Sequence, residues 1–273
     1  MERKFRAASR RRAKTSQIGT RWLGLCLVSA IAASGLGCAT TAENAQDARR
    51  AASHVQVGGD HLSNGRSALA LREFLAAEKL DPKNAQVHYA LADAYLARGK
   101  RVESEKHARR ALELFPDYHD ARLFLTALLL VEKRYAEAIP ECDRLVDDPT
   151  FEAPWRALTN RAWAEYKLGR GKDARDSLAQ AREFRKNYWP ATLALAIFEG
   201  DAGRRVEAIR LYKDIIALAP GPAVESEVNY RIAQLYVSLG KRKEAVGHLT
   251  TSVARAPESQ WAKKSQEYLK RLH

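Results

Sequence analysis

Residues 99–116 read GKRVESEKHARRALELFP. A glycine opens the stretch, small residues follow five and twelve positions later (Ser104 and Ala111), and Pro116 closes it. The same arrangement recurs on both sides. Gly65, Gly99, Lys133, Gly169, Gly203 and Gly240 stand 34, 34, 36, 34 and 37 residues apart. Five residues after each comes a small side chain: Ala70, Ser104, Ala138, Ala174, Ala208 and Ala245. Ala77 and Leu145 take the place of Ala111 in the first and third units, and Pro82, Pro220 and Pro257 join Pro116 as closing prolines. A period near 34 residues marks an array built from one repeated supersecondary unit.

Each unit reads as two amphipathic helices. In SALALREFLAAEKLDP, residues 67–82, Leu71, Phe74, Leu75 and Leu80 fall on one helical face. No stretch alternates with period two over a useful length. Small residues stand where two helices cross closely, glycine takes the turn between them, and proline starts the next helix. One pair alone cannot bury its apolar faces, so neighbouring pairs must stack. The pattern resembles the tetratricopeptide repeat (TPR) over residues 51–258. That resemblance implies an all-α superhelix of six helix pairs plus a C-terminal capping helix. The units are 51–84, 85–118, 119–150, 155–188, 189–222 and 226–258, and the cap is 259–273, with Trp261, Ser265, Tyr268 and Leu272 on one face. Thr40, with Glu43 three residues on, reads as an N-cap of the lead-in helix in 38–50. Pro140 is expected to kink or shorten its helix. The irregular DDPTFEAP of residues 147–154 is either a bend in the array or a surface insertion.

The first 37 residues read as an address. Eight Lys or Arg stand against Glu2 there, which accounts for +7 of the formal net charge of +13. Residues 22–37, WLGLCLVSAIAASGLG, are uncharged and are followed by Cys38. Sixteen residues fall short of the ~20 that span a bilayer and suit a signal peptide. A cysteine directly after such a segment resembles the bacterial lipoprotein signal, which implies removal of 1–37 and acylation of Cys38. Gly35-Leu36-Gly37 departs from the usual order, so cleavage by the ordinary signal peptidase is the alternative. Ala39 after the cysteine implies transfer to the outer membrane, facing the periplasm. Three cysteines are too few for a disulfide framework, and Cys142 reads as a buried apolar side chain. The remaining +6 lies in no long basic run, which argues against a nucleic-acid partner.

No motif in the chain carries a reaction, and an enzyme would need a constellation assembled from distant units. There is no phosphate-binding glycine loop, no zinc helix and no nucleophile elbow, so no catalytic residue, metal ligand or cofactor is assigned. His54 and His88 share one repeat position and a packing role. The chain reads as a protein-binding array without a small-molecule substrate.

In TPR arrays the concave surface is lined by the first helix of each pair. Placed on that frame, the groove comprises Leu62, Tyr89, Leu96, Leu123, Phe124, Leu130, Val131, Trp163, Tyr166, Leu193, Ile197, Tyr230 and Val237. Some of these must pack against adjacent helices. The rest make a largely apolar strip suited to an amphipathic helix or apolar strand. Charges are sparse there: Asp93, Asp120, Arg156 and Arg231. The carboxylate clamp of chaperone-binding TPRs is matched only at Asn160, which excludes that function. Basic residues at successive turns, such as Lys100-Arg101 and Lys241-Arg242-Lys243, align as a ridge. The ridge is either ordinary solvation or a surface for acidic head groups or an acidic partner.

A lipobox-like leader, six units directly after it and the segment VDDPTFEAPWRALTNRAWAEYKLGRGKDA (146–174) resemble one family. It is the pilotin family of type IV pilus systems, variously named PilF, PilW or Tgl. The resemblance implies an outer-membrane lipoprotein that binds the pilus secretin and promotes its insertion and multimer assembly. The reading from another class is a scaffold tethering a peptidoglycan or polysaccharide synthesis enzyme.

Overall fold

The repeating physical unit is a tight turn between two helices. In the second pair, Gly99 N–H donates to Leu96 O at 2.8 Å and Lys100 N–H to Tyr95 O at 2.9 Å. These two bonds form a Schellman motif, which needs a left-handed residue just past the helix end. Glycine supplies it at 65, 99, 169, 203 and 240, with φ between 72° and 79°. Lys133 holds the same place at φ 60° without glycine's freedom. Lys133→Gly is therefore expected to raise stability by about 0.5–1 kcal/mol, read from a chemical-denaturation midpoint; no gain would mean the turn carries no strain.

The computed structural model describes the backbone of residues 29–272 and the side chains of 43–272. Residues 1–28 of the expected leader and the side chain of Cys38 lie outside the described residues. Thirteen helices and no strand are present among the described residues. They are α1 (Ser29–Ser63), α2 (Ser67–Leu80), α3 (Ala85–Ala97), α4 (Arg101–Leu114), α5 (His119–Val131), α6 (Tyr135–Val146), α7 (Pro154–Lys167), α8 (Gly171–Phe184), α9 (Trp189–Asp201), α10 (Arg205–Ala217), α11 (Pro222–Ser238), α12 (Arg242–Arg255) and α13 (Gln260–Leu272). None is long and apolar enough to cross a membrane. Helix α1 runs through Thr40, so that residue is not an N-cap: a capping signature loses to continued helix propensity when nothing stops the chain.

Residues from Ala51 onward form one unit of six antiparallel pairs, α1–α2 through α11–α12, closed by α13. Within each pair the crossing is made by side chains too small to hold the helices apart. Ala70, Ala77, Ser104, Ala111, Ala138, Ala174, Ala208 and Ala245 are all fully buried. Ser104 meets the cost of burying a hydroxyl by donating to Ala92 O at 2.7 Å. Gly58 serves the same end in α1, because a Cβ there would stand 2.3 Å from a ring atom of the buried Phe74. Gly58→Ala is expected to cost about 1–3 kcal/mol through overpacking, although alanine is the better helix former; a rise in melting temperature would contradict this packing.

A polar rung also recurs, from the fourth position of a repeat unit to the residue nineteen later. His54 meets Glu73 at 2.8 Å, Arg122 pairs with Glu141, and Asn229 meets His248 at 2.8 Å. First helices also touch the first helices of the next pair, α5 with α7 and α7 with α9, with no comparable approach of successive second helices among the described residues. The first helices therefore lie on the inside of the array's curve. The cap buries Ala262 and Ser265, and packs Tyr268, Leu269 and Leu272 against Ala233, Ala245 and Leu249.

Pro140 sits within α6, which continues through it but is 12 residues long where α2, α4, α8 and α12 have 14. The irregular segment after α6 is more than a surface insertion. Phe151 is buried against Leu123, Leu145 and Ala157, and His119 reaches Asp148 at 2.7 Å. Hydrogen bonds from Thr150 and His119 hold the Asp148 carboxyl at about 2. Because its folded value lies below the ordinary one, its contribution is complete above pH ~4 and fades as pH falls towards 2. Asp148→Asn is expected to flatten the fall of melting temperature across that window; an unchanged slope would remove Asp148 from the acid response.

Candidate functional site

The inner face of the array hollows where α3, α5 and α7 meet. A cleft of about 410 Å³ is lined by Tyr89, Asp120, Leu123, Phe124, Ala127, Arg156, Asn160 and Tyr188. The helical repeat explains the register: Tyr89 comes from α3, Asp120, Leu123, Phe124 and Ala127 from successive turns of α5, and Arg156 and Asn160 from one face of α7. Tyr89 packs edge-on to Phe124 at 5.8 Å and to Tyr118 at 5.3 Å. Asn160 is pinned by donating to Thr126 at 2.8 Å, and Thr126 in turn donates to Leu123 O at 2.7 Å. Burial raises the phenols of Tyr89 and Tyr188 and pushes Tyr118 up to about 12, so all three remain neutral donors. Burial also raises the carboxyl of the neighbouring Asp93.

A second hollow of about 570 Å³ adjoins this cleft and shares Asp120 and Arg156 with it, reaching Phe115, Tyr118, Thr150 and Phe151. The two form one passage with aromatic walls, in which Asp117, Asp120 and Glu152 stand with a single arginine, Arg156. Such a lining offers apolar surface to an extended or helical segment, with Asp120, Arg156 and Asn160 as its polar groups.

Of the thirteen groove residues expected from the sequence, the cleft gathers Tyr89, Leu123 and Phe124, with Leu123 itself buried against Leu145 and Phe151. The others are placed differently. Val131 is exposed at a turn. Trp163 and Tyr166 form the joint to the next pair: Tyr166 stacks on Phe198 at 3.9 Å, Trp163 meets the same ring edge-on at 5.0 Å, and the Tyr166 hydroxyl donates to Asp201 at 2.5 Å. Leu193 and Ile197 pack on the cluster around Ile232, and Leu62 on that around Phe74. Leu130 packs beside Leu129, while Tyr230 and Val237 pack beside Leu249. Leu96 is half-buried. Apart from Val131 these residues are half-buried, as Tyr89 and Phe124 are: each packs on a neighbouring element and keeps part of its side chain open, and the cleft is one hollowed part of that face. Tyr118 and Tyr188 are the residues that sequence reasoning missed. They precede α5 and α9 as N-caps, outside the helical periodicity, and the tyrosines of DY (117–118) and NY (187–188) were the available signal.

One cluster has the residue types of a metal site: Glu78, His88 and His107. His88 uses Nε2 on Pro82 O at 2.9 Å, and its Nδ1 faces His107 Nδ1 at 3.1 Å. The rings lie 24° from coplanar with centroids 5.4 Å apart, so the two nitrogens stand on the line between the rings. That is the geometry of an N–H···N hydrogen bond, and it matches the polar rung of the other pairs. Metal ligands would instead converge at an angle on a third point. Cys142 is buried and its thiol is pushed up to about 12, which leaves it chemically quiet.

Family models of the tetratricopeptide repeat match residues 58–105 and 89–153 in one form and 201–266 in another, together more than half of the chain. Among solved structures, the chain is similar to PilW, a widely conserved type IV pilus biogenesis factor. The TM-score is 0.68 at 21% identity, over 78% of this chain and 97% of that one. It is also similar to PilF of Pseudomonas aeruginosa, with a TM-score of 0.66 at 17% identity, over 82% of this chain and 99% of that one. At these identities the likeness is one of fold. Among curated proteins, DnaJ homolog subfamily C member 3 of Rattus norvegicus is 26% identical over 196 residues, which is 72% of this chain and 34% of that protein. Its Bos taurus counterpart is 30% identical over 124 residues, 45% of this chain and 23% of that one. The chain thus spans about a third or less of the length of these curated relatives.

Proposed function

Because this chain belongs to the tetratricopeptide-repeat family, we propose that it works by holding another protein, and that the protein held is the secretin of a type IV pilus. In this reading it is a pilotin. A leader of 37 residues is removed, Cys38 is acylated, and the array stands on the periplasmic side of the outer membrane. There it grips a secretin segment in the passage between α3 and α7 and releases it as neighbouring subunits assemble. The observation that carries the proposal is the extent of the likeness to PilW and PilF, which takes in nearly the whole of both those chains. A passage with aromatic walls supports a peptide ligand, and two or three acyl chains would anchor the array stably where one would not.

Deletion of the gene tests the role. Loss of surface pili with unchanged cell shape is expected, whereas altered shape with normal pili would assign the array to envelope synthesis. Cys38→Ser tests the anchor: the protein is expected to move from the membrane to the soluble periplasmic fraction, and unchanged fractionation would overturn acylation.

A further inference from the structure

The six Schellman turns occupy equivalent places in six stacked pairs, so they line one edge of the unit from Ala51 onward. The two kinds of connector differ sharply in charge. Those inside the pairs contain eight basic residues and one acid, while those between pairs contain three basic residues and six acids. The basic side chains are largely uncompensated. Arg134 is held by Glu105 and Glu137, and Arg204 by Glu199. Among the described residues, Lys100, Arg170, Arg205 and Lys241 form no ion pair, and all four are exposed.

The same edge also carries apolar side chains. Val102 is 79% exposed, Val206 75% and Val131 58%, and Leu168 and Leu239 complete the row. These five, out of nine exposed large apolar residues, all stand within three positions of a turn cation. Between the last two turns lies a hollow of about 300 Å³, lined by Val206, Ile209, Tyr236 and Leu239 together with Lys213 and Lys241. Solvation of turns accounts for lysine and arginine, but it gives no reason to set valine and leucine beside them in five consecutive pairs.

We propose that this edge is a membrane-contact surface that rests on anionic phospholipid head groups, the cations meeting phosphates and the valines and leucines entering the interface. Cations flanked by apolar residues, repeated along a line, suit a lipid surface, which takes both at once and requires no fixed partner geometry. The opposite edge, with its excess of acids, is repelled by the same surface. The array therefore lies with its inner passage to one side of the bilayer plane. The inference stands apart from the pilus role and from acylation.

The test uses the full chain on vesicles of phosphatidylglycerol with phosphatidylcholine, and on phosphatidylcholine alone. Any contribution of the leader is common to all variants. Lys100→Gln, Arg170→Gln, Arg205→Gln and Lys241→Gln together are expected to weaken binding to the anionic vesicles by at least ~100-fold, since each cation near such a surface contributes roughly fivefold. The same charge removed elsewhere, by Arg72→Gln, Lys186→Gln, Lys263→Gln and Lys270→Gln, is expected to change it far less. Hydrogen exchange on the anionic vesicles is expected to slow at residues 98–103, 202–206 and 239–243 and not at 115–118 or 185–188. Equal loss in both quadruple variants would overturn the proposal, as would protection at the between-pair connectors. An edge that ignores the vesicles but binds polyglutamate would assign it to an acidic protein instead.

Discussion

Phe198→Ala is expected to lower the unfolding free energy by about 3–5 kcal/mol and to divide the array into two cooperative blocks. The ring is almost fully buried. It lies in α9, yet it stacks on Tyr166 at 3.9 Å and meets Trp163 at 5.0 Å, both on α7. It is therefore the piece of core shared by the fourth and fifth pairs. In a stacked array stability is a sum of unit terms and nearest-neighbour terms, so removing one joint uncouples the units on either side. Guanidinium titration followed by hydrogen exchange checks this. Residues from α9 onward should lose protection at a different midpoint from α2 to α7. A single transition displaced by less than ~1 kcal/mol would show that the joint lies elsewhere.

Tyr89→Ala combined with Phe124→Ala is expected to weaken secretin binding by about 100-fold or more, because aromatic anchors at the centre of an interface carry ~2–4 kcal/mol. Both side chains are half-buried and wall the cleft, and their edge-on contact joins α3 to α5, so helix content should persist with a modest loss of stability. Trp163 and Tyr166 are the contrasting pair. Alanine there removes core contacts and lowers stability, with binding lost only as a consequence. Binding by isothermal titration separates the two cases. Wild-type affinity in the Tyr89 and Phe124 double variant would dismiss the cleft as the docking site.

The array was legible because its constraints are local and repeated. A close helix crossing admits only side chains such as Ala70, Ser104 and Ala138, and a Schellman turn favours glycine, so the period is written directly in residue types. The groove was only half legible, since helical periodicity says which face a residue occupies and not whether the next pair covers that face. Tyr89 and Phe124 wall the cleft, while Leu193 and Ile197 on equivalent faces are half-buried against the cluster around Ile232. Phe151 escaped because it lies in the longest connector, residues 147–153, where no helical pattern marks it as core. Tyr118 and Tyr188 escaped because cap positions belong to neither helix of a pair.

The pilotin reading meets its most direct test in the amount of SDS-resistant secretin multimer in membranes of cells that lack this protein. Loss of the multimer, with secretin monomer still present, is the result expected of an assembly factor. Normal multimer in those membranes would contradict the account and leave a repeat array whose partner lies elsewhere in the envelope.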